Sequence, residues 1–309
     1  MKKLVLSFIA ALSFILMAPA QQDTGKTDKT GISKTEMQLR VNKSVDRSIN
    51  DKITEASREA VMIYQETQKV IGMLAEKKNK EAEDKLAEII GRLEVLLVKH
   101  PEMALIPVSS TVEVHDVVTD INTVEKIMKE VREAINKGYY QQAKWVLNDL
   151  SSEMIVKTAY LPMATYPDAM KLAAKFLSED KNQEAGAVLV KALTTLIVKE
   201  DILPLPVLRA QELIKEALAV MDNDKKFKEN KEVLLALLQS ADYQLKLAEA
   251  MGYGKKDKEY KALADAIAKL KKSVEKEKER RTRKQLLALD EKLKKFKERL
   301  FPVKPENKK

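Results

Sequence analysis

Residues 134–163, AINKGYYQQAKWVLNDLSSEMIVKTAYLPM, and residues 176–205, FLSEDKNQEAGAVLVKALTTLIVKEDILPL, decide how this chain is read. A shift of 42 residues lays one on the other. Ala143 then meets Ala185, Leu147 meets Leu189, and Ile155-Val156-Lys157 meets Ile197-Val198-Lys199. Leu161-Pro162 meets Leu203-Pro204. Each copy reads as a helix end, a short polar turn, a second apolar-periodic helix and a proline stop. Repeats of this length mark stacked helical units that cannot bury their apolar faces alone. The two alanines fall just after the turn, where a methyl lets helices approach within about 8–9 Å.

Working outward, the pattern spreads over most of the chain. Ala56, Ala60, Ile63, Val70 and Leu74 form one stripe, and Leu86, Ile89, Ile90, Leu93 and Leu97 form the next, ending before Pro101. This earlier pair is a diverged copy, with Leu97-Val98-Lys99 standing for Ile-Val-Lys. A helix is predicted over Asn122–Asn136, closed by Gly138 as a left-handed residue. The arms Gln141–Lys157 and Glu184–Lys199 are expected to be helical throughout. Val207–Met221 and Lys231–Met251 make a further hairpin before Gly252-Tyr253-Gly254. Only residues 108–121 look strand-like, through Val112, Val114 and Val117, and they suit an extended connection as well as a paired strand. Beyond Gly254, Leu263–Val274 and Leu286–Leu300 keep helical spacing around the wholly polar EKEKERRTRKQ of residues 275–285. That polar run is either three solvated turns of one long helix or, slightly favoured, a hairpin apex or kink.

The fold class expected is therefore all-α: an array of antiparallel helical hairpins, bundle- or solenoid-like, with a long charged C-terminal helical extension. Composition agrees, since 309 residues contain only 8 Gly and 9 Pro. Four stretches are distinguished: 1–20 a signal peptide, 21–50 a disordered linker, 51–254 the helical domain, and 255–309 the basic extension. Lys2-Lys3, the apolar residues 4–17 and Ala18-Pro19-Ala20 carry the first of these. Fourteen apolar residues are too few to span a bilayer comfortably, so export to the periplasm is the expectation.

Reactive chemistry is hard to place. With no cysteine, thiol nucleophiles, disulfides and cysteine-ligated metals are excluded. There is no GxGxxG, no GxxxxGK[ST] and no HExxH. Of the two histidines, His100 sits at a helix end, and His115 adjoins Asp116, a neighbour that rarely points the same way. No catalytic, cofactor-binding or metal-binding residue is expected.

Two groups of residues suggest binding. Tyr139, Tyr140, Trp145, Tyr160 and Tyr166 crowd into 28 residues. They fill gaps between hairpins or line a groove for a small amphipathic ligand or a protein segment. Arg280, Arg281, Arg283 and Lys284 form a basic cluster. Residues 255–309 hold 21 Lys and Arg against 10 Asp and Glu, whereas the rest of the chain is slightly acidic. The basic character is thus local, and it points to an anionic membrane surface or an acidic protein. Export and scarce aromatics argue against nucleic acid.

The stretch from about Ile53 to Ala219 resembles the YfdX family of exported bacterial helical proteins. The resemblance rests on Gly138-Tyr139-Tyr140-Gln141-Gln142-Ala143, on Tyr160-Leu161-Pro162-Met163, and on MKLAAKFLSEDK at 170–181 followed by Ala185 and Leu189. It implies a periplasmic, mostly helical protein that self-associates as a homo-oligomer and is associated with envelope stress. It further implies a chaperone-like or ligand-binding role rather than catalysis. The basic C-terminal extension departs from the family pattern. The reading reached is an exported, non-catalytic binding or chaperone-like protein; the alternative is an adaptor docking through its basic tail.

Overall fold

The computed structural model describes residues 32–50, 53–117, 119–222, 227–254 and 258–300. The signal-peptide reading of residues 1–20 lies outside the described residues. Eleven helices and three strands are found among the described residues. The chain begins with α1 (Lys34–Asn50), α2 (Glu55–Ala75), α3 (Asn79–Lys99) and β1 (Leu105–His115). Next come α4 (Ile121–Asn136), α5 (Tyr140–Asp149) and β2 (Glu153–Pro162), then α6 (Tyr166–Ser178), α7 (Asn182–Thr194) and β3 (Ile197–Pro204). It ends with α8 (Leu205–Asp222), α9 (Lys231–Met251), α10 (Lys258–Glu275) and α11 (Glu279–Leu300).

The repeat is real, but its unit is helix–turn–helix–strand, so the fold is not all-α. The arms expected to be helical through Lys157 and Lys199 stop at Asp149 and Thr194 and continue as β2 and β3. Ile-Val-Lys lies in a strand in both copies, third to fifth in β2 and first to third in β3, whereas Leu97-Val98-Lys99 is the last turn of α3. The cause is visible in β2, where Met154, Val156 and Thr158 are buried and alternate with less buried neighbours, a period of two. Leu-Pro ends the strands rather than the helices. Of residues 108–121, those up to His115 belong to β1, a paired strand that starts earlier, at Leu105.

The strands form one small antiparallel sheet in the order β1-β2-β3. The Met163 N–H donates to the Ala104 carbonyl at 3.0 Å, and Ser110 and Thr158 share a hydroxyl hydrogen bond at 3.1 Å. On the other side of β2, the Leu205 N–H donates to the Ser152 carbonyl at 2.9 Å. Pro107 falls in the edge strand β1, where a missing N–H is tolerated.

Four hairpins, α2–α3, α4–α5, α6–α7 and α10–α11, turn by one device. The left-handed residue is Lys77 (φ 61°), Gly138 (φ 82°), Asp180 (φ 58°) or Glu277 (φ 52°). In each turn the next residue's N–H reaches back over the helix end: Lys78 to Met73, Tyr139 to Ala134 and Lys181 to Phe176 at 2.9 Å, and Lys278 to Ser273 at 3.0 Å. This is the Schellman arrangement, which satisfies carbonyls a helix end would otherwise leave open. Five residues after each left-handed residue comes a small buried one: Ala82, Ala143, Ala185 and Thr282. The polar stretch at 275–285 is therefore the apex of a fourth hairpin of this kind.

The chain divides into two compact units. Among the described residues, one comprises 46–112 and 156–200, and the other 32–45, 113–155 and 201–300. In the first unit, α2 packs on α7 and α3 on α6, around Ile63, Leu86, Ile89, Leu93, Met170 and Leu189. In the second, α8, α9, α10 and α11 share one core that includes Leu213, Leu237, Leu270, Leu289 and Phe296. The edge of the Tyr260 ring meets Phe296 at 4.9 Å between centroids. A smaller cluster, Val124, Leu150, Leu247 and Met251, ties α4 and α5 to α9.

Residues 34–50, expected to belong to a disordered linker, form α1. Met37, Val41 and Val45 recur every fourth residue within an otherwise polar sequence. Val41 and Val45 are buried, and Met37 packs against the second unit's core. Ser33 caps the helix by accepting from the Glu36 N–H at 3.1 Å.

Candidate functional site

The basic cluster sits at the apex between α10 and α11, and the inner faces of these helices fix it in place. Tyr260, Leu263, Ile267 and Leu270 anchor α10, and Leu286, Leu289, Leu293 and Phe296 anchor α11, all buried. Ser273 donates to Gln285 Oε1 across the hairpin at 2.8 Å, and buried Thr282 donates to the Lys278 carbonyl at 3.0 Å. Every residue from Glu275 to Arg281 is exposed.

The charges at the apex are only partly neutralised. Arg283 pairs with Asp222 at the end of α8. Glu277 accepts Lys228 at 3.3 Å and Lys231 at 3.6 Å, and the Lys228 hydrogen bond is the main cause holding its carboxyl below the usual range. Lys276, Lys278, Arg280, Arg281 and Lys284 form no ion pair among the described residues. Four cations thus stand in the first two turns of α11, where the helix dipole disfavours positive charge by about 0.3–1 kcal/mol each. Helix stability alone does not account for that placement.

The aromatic group is divided by the fold. Tyr139, Tyr140 and Trp145 are exposed around the start of α5, in the second unit. Tyr160 belongs to the first unit, half-buried, with Lys199 Nζ 5.6 Å from its ring centre. Tyr166 is a core residue of the first unit: it donates to Thr67 Oγ1 at 2.9 Å, and burial pushes its phenol up to about 12. Tyr166 therefore lines no solvent-open groove.

The first unit has an open concavity of about 400 Å³ between the start of α2 and the end of α3. Ala56, Gly91 and Val95 line it, with Glu59, Glu88 and Arg92. Arg92 already spans Glu66 at 2.9 Å, Glu88 at 3.5 Å and Glu59 at 3.6 Å. These charges chiefly satisfy one another.

One partly buried polar cluster, with only Ser152 fully buried, escaped sequence reasoning. Ser152 Oγ donates to Asp116 Oδ1 at 2.8 Å, and Arg209 Nη2 donates to Asp116 Oδ2 at 2.6 Å. The Ser152 N–H donates to Tyr253 Oη, whose own proton goes to Glu153 Oε2, both at 3.0 Å. Burial, above all, raises the Tyr253 phenol pKa. Asp116, the residue that would orient His115, is thus held by Ser152 and Arg209. Ser152 is fully buried, so its hydroxyl locks the start of β2 and is out of a substrate's reach. Only the spacing of distant polar residues, invisible without the fold, could have signalled this cluster. Among the described residues no group of three or more His, Cys, Asp or Glu could hold a metal ion.

With this geometry in hand, comparison adds a family. A family model described as YfdX protein matches residues 63–202, from within α2 to within β3. This part of the chain belongs to the YfdX family. The YfdX segment therefore holds most of the helix–turn–helix–strand repeats, and α8 to α11 with the basic apex fall outside it. A solved structure of YfdX from Salmonella Typhi is similar at 16% identity and a TM-score of 0.32, with 48% of this chain and 91% of that chain covered. No curated protein matches the chain.

Proposed function

We propose that this is an exported, non-catalytic binding protein of the bacterial envelope that docks on an anionic membrane surface through the α10–α11 apex. One observation carries the reading: five cations without an ion pair among the described residues, Lys276, Lys278, Arg280, Arg281 and Lys284, project from a hairpin whose inner face is locked in a core. Export is supported by Lys2-Lys3, the apolar residues 4–17 and Ala18-Pro19-Ala20. The link to envelope stress rests on membership of the YfdX family.

The test is cosedimentation with phosphatidylglycerol-containing vesicles at low and high salt. The protein pellets at low salt and is released at high salt, because such attraction fades within a Debye length of about 8 Å at physiological ionic strength. Each surface cation is worth about 1 kcal/mol, so Arg280→Glu, Arg281→Glu and Lys284→Glu together weaken binding by about a hundredfold or more. Equal pelleting of the triple variant, or none by the parent, would sink the reading.

A second reading, chaperone-like binding of apolar segments, is supported by the exposed Tyr139, Tyr140 and Trp145. It predicts that these residues, rather than the basic apex, govern capture of a denatured client protein.

A further inference from the structure

The turn between α4 and α5 has the backbone of the other three left-handed turns but a different surface. One and two residues past the left-handed residue, those turns place Lys78-Asn79, Lys181-Asn182 and Lys278-Glu279. Here Tyr139 and Tyr140 stand instead, 59% and 65% exposed. Seven residues past it the others place Asp84, Ala187 and Lys284, whereas α5 places Trp145, 71% exposed.

The surroundings of Trp145 decide what it suits. On a helix, a side chain's neighbours lie three and four residues away in either direction. For Trp145 these are Gln141, Gln142, Asn148 and Asp149, all exposed. Among the described residues none of these four side chains makes a hydrogen bond or an ion pair. The matching positions elsewhere are spent differently. Around Asp84 stand Lys80, Glu81, Ala87 and Glu88, and Lys80 pairs with Asp84 at 3.2 Å. Around Lys284 stand Arg280, Arg281, Leu287 and Ala288. Of the four hairpins, α4–α5 alone sets three amides and one carboxylate around an open indole.

We infer that this face of α5 binds an N-acetylated glycan, the β-linked N-acetylhexosamine strand of the bacterial cell wall. A pyranose has an apolar C–H face that stacks on an indole, and a polar rim that suits amides. Each Gln or Asn offers both a donor and an acceptor, the complement of an acetamido C=O and N–H, and Asp149 accepts from hydroxyls. Gln141 to Asn148 covers about 10 Å of helix, room for a disaccharide. Charge selects against other occupants. Lys144 is offset by Asp149 and Lys137 by Glu133, so neither an acidic nor a basic partner is drawn here. An apolar protein segment would cover the rings but strip water from the amides without replacing their hydrogen bonds. A neutral sugar satisfies both.

The inference rests on the export reading only for where the sugar is met; binding of the sugar itself is independent of export and of the basic apex. Trp145 is the only tryptophan, so its emission reports directly. The purified protein is titrated with the hexamer of N-acetylglucosamine, and with cellohexaose, which lacks the acetamido groups. The hexamer gives a saturable blue shift and less acrylamide quenching, unchanged by high salt, and cellohexaose binds severalfold more weakly. In cosedimentation at high salt, isolated peptidoglycan sacculi pellet the protein. Trp145→Ala, with unchanged circular dichroism, lowers that retention about tenfold or more, the loss of one stacked ring. Gln141→Ala with Asn148→Ala lowers it severalfold. Arg280→Glu, Arg281→Glu and Lys284→Glu together leave sugar binding intact, so failure here and failure of membrane docking are read separately. The inference is overturned if the hexamer leaves Trp145 emission unchanged, if cellohexaose binds as tightly, or if sacculi fail to retain the parent or retain Trp145→Ala equally. Shielding of Trp145 by a denatured client protein but not by the sugar would also overturn it and favour the chaperone-like reading.

Discussion

Single residues carry the turns, and their conformations make definite demands. Lys77 is exposed at φ 61°, where a side chain costs about 1–2 kcal/mol over glycine. Lys77→Gly should raise the melting temperature, the gain being reduced by the extra freedom glycine gives the unfolded chain. Gly138→Ala should cost about 1–2 kcal/mol; nothing lies within 4 Å of the added carbon, so the loss is purely backbone strain. Opposite signs at the two sites in thermal melts confirm the shared turn, and equal signs refute it. Ala143 and Ala185 are buried as their places in the repeat require, and Ala185→Leu should destabilise by about 1–3 kcal/mol. Lys297 is the odd residue in the second core. Burial, then the nearby Lys215, lowers its pKa, and among the described residues its ammonium has only Gln211 Oε1 at 3.4 Å. The unfolded chain therefore holds more protons than the folded one between the lowered pKa and the ordinary lysine range, and stability rises with pH across that window. Lys297→Met should stabilise the protein at neutral pH and flatten that rise, which melts at several pH values will show.

At the scale of elements, the basic C-terminal hairpin is an integral part of its unit. Tyr260, Leu263, Ile267, Leu270, Leu286, Leu289, Leu293 and Phe296 are buried in the core shared with α8 and α9. Fully burying each such side chain contributes about 1.5–3 kcal/mol, and a whole domain retains only about 5–15 kcal/mol. A chain ending at Gly254 should thus lose cooperative unfolding of the second unit, seen as a missing calorimetric transition. An unchanged transition would mean the hairpin is an appendage. The sequence shows these helices plainly, because their apolar residues recur at three and four. It hides β2 and β3 because Ile155-Val156-Lys157 and Ile197-Val198-Lys199 follow helical periodicity with only a few residues between. A short β-branched run after a helix fits either period. The clue lay in the breaks, Ser151-Ser152 and Thr194-Thr195, and in alternation through Met154, Val156 and Thr158. Helix α1 was hidden for the opposite reason: Met37, Val41 and Val45 are too few to stand out among polar neighbours.

For the whole molecule, surface charge was more legible than surface shape. The excess of Lys and Arg in residues 255–309 can be counted from the sequence, and the fold adds which cations are spent: Arg283 on Asp222, with Arg280, Arg281 and Lys284 left over among the described residues. The aromatic cluster could not be resolved this way, because closeness along the chain does not say which residues share a face. Tyr166 entered a core, while Trp145 stayed at the surface. The central claim is that the protein meets an anionic membrane through the α10–α11 apex. Hydrogen exchange of the full protein, with and without phosphatidylglycerol-containing vesicles, addresses it most directly. The account predicts that amides of residues 276–284 gain protection on vesicle binding at low salt and lose it at high salt. Protection confined to other segments, or none in protein that pellets with the vesicles, would contradict it.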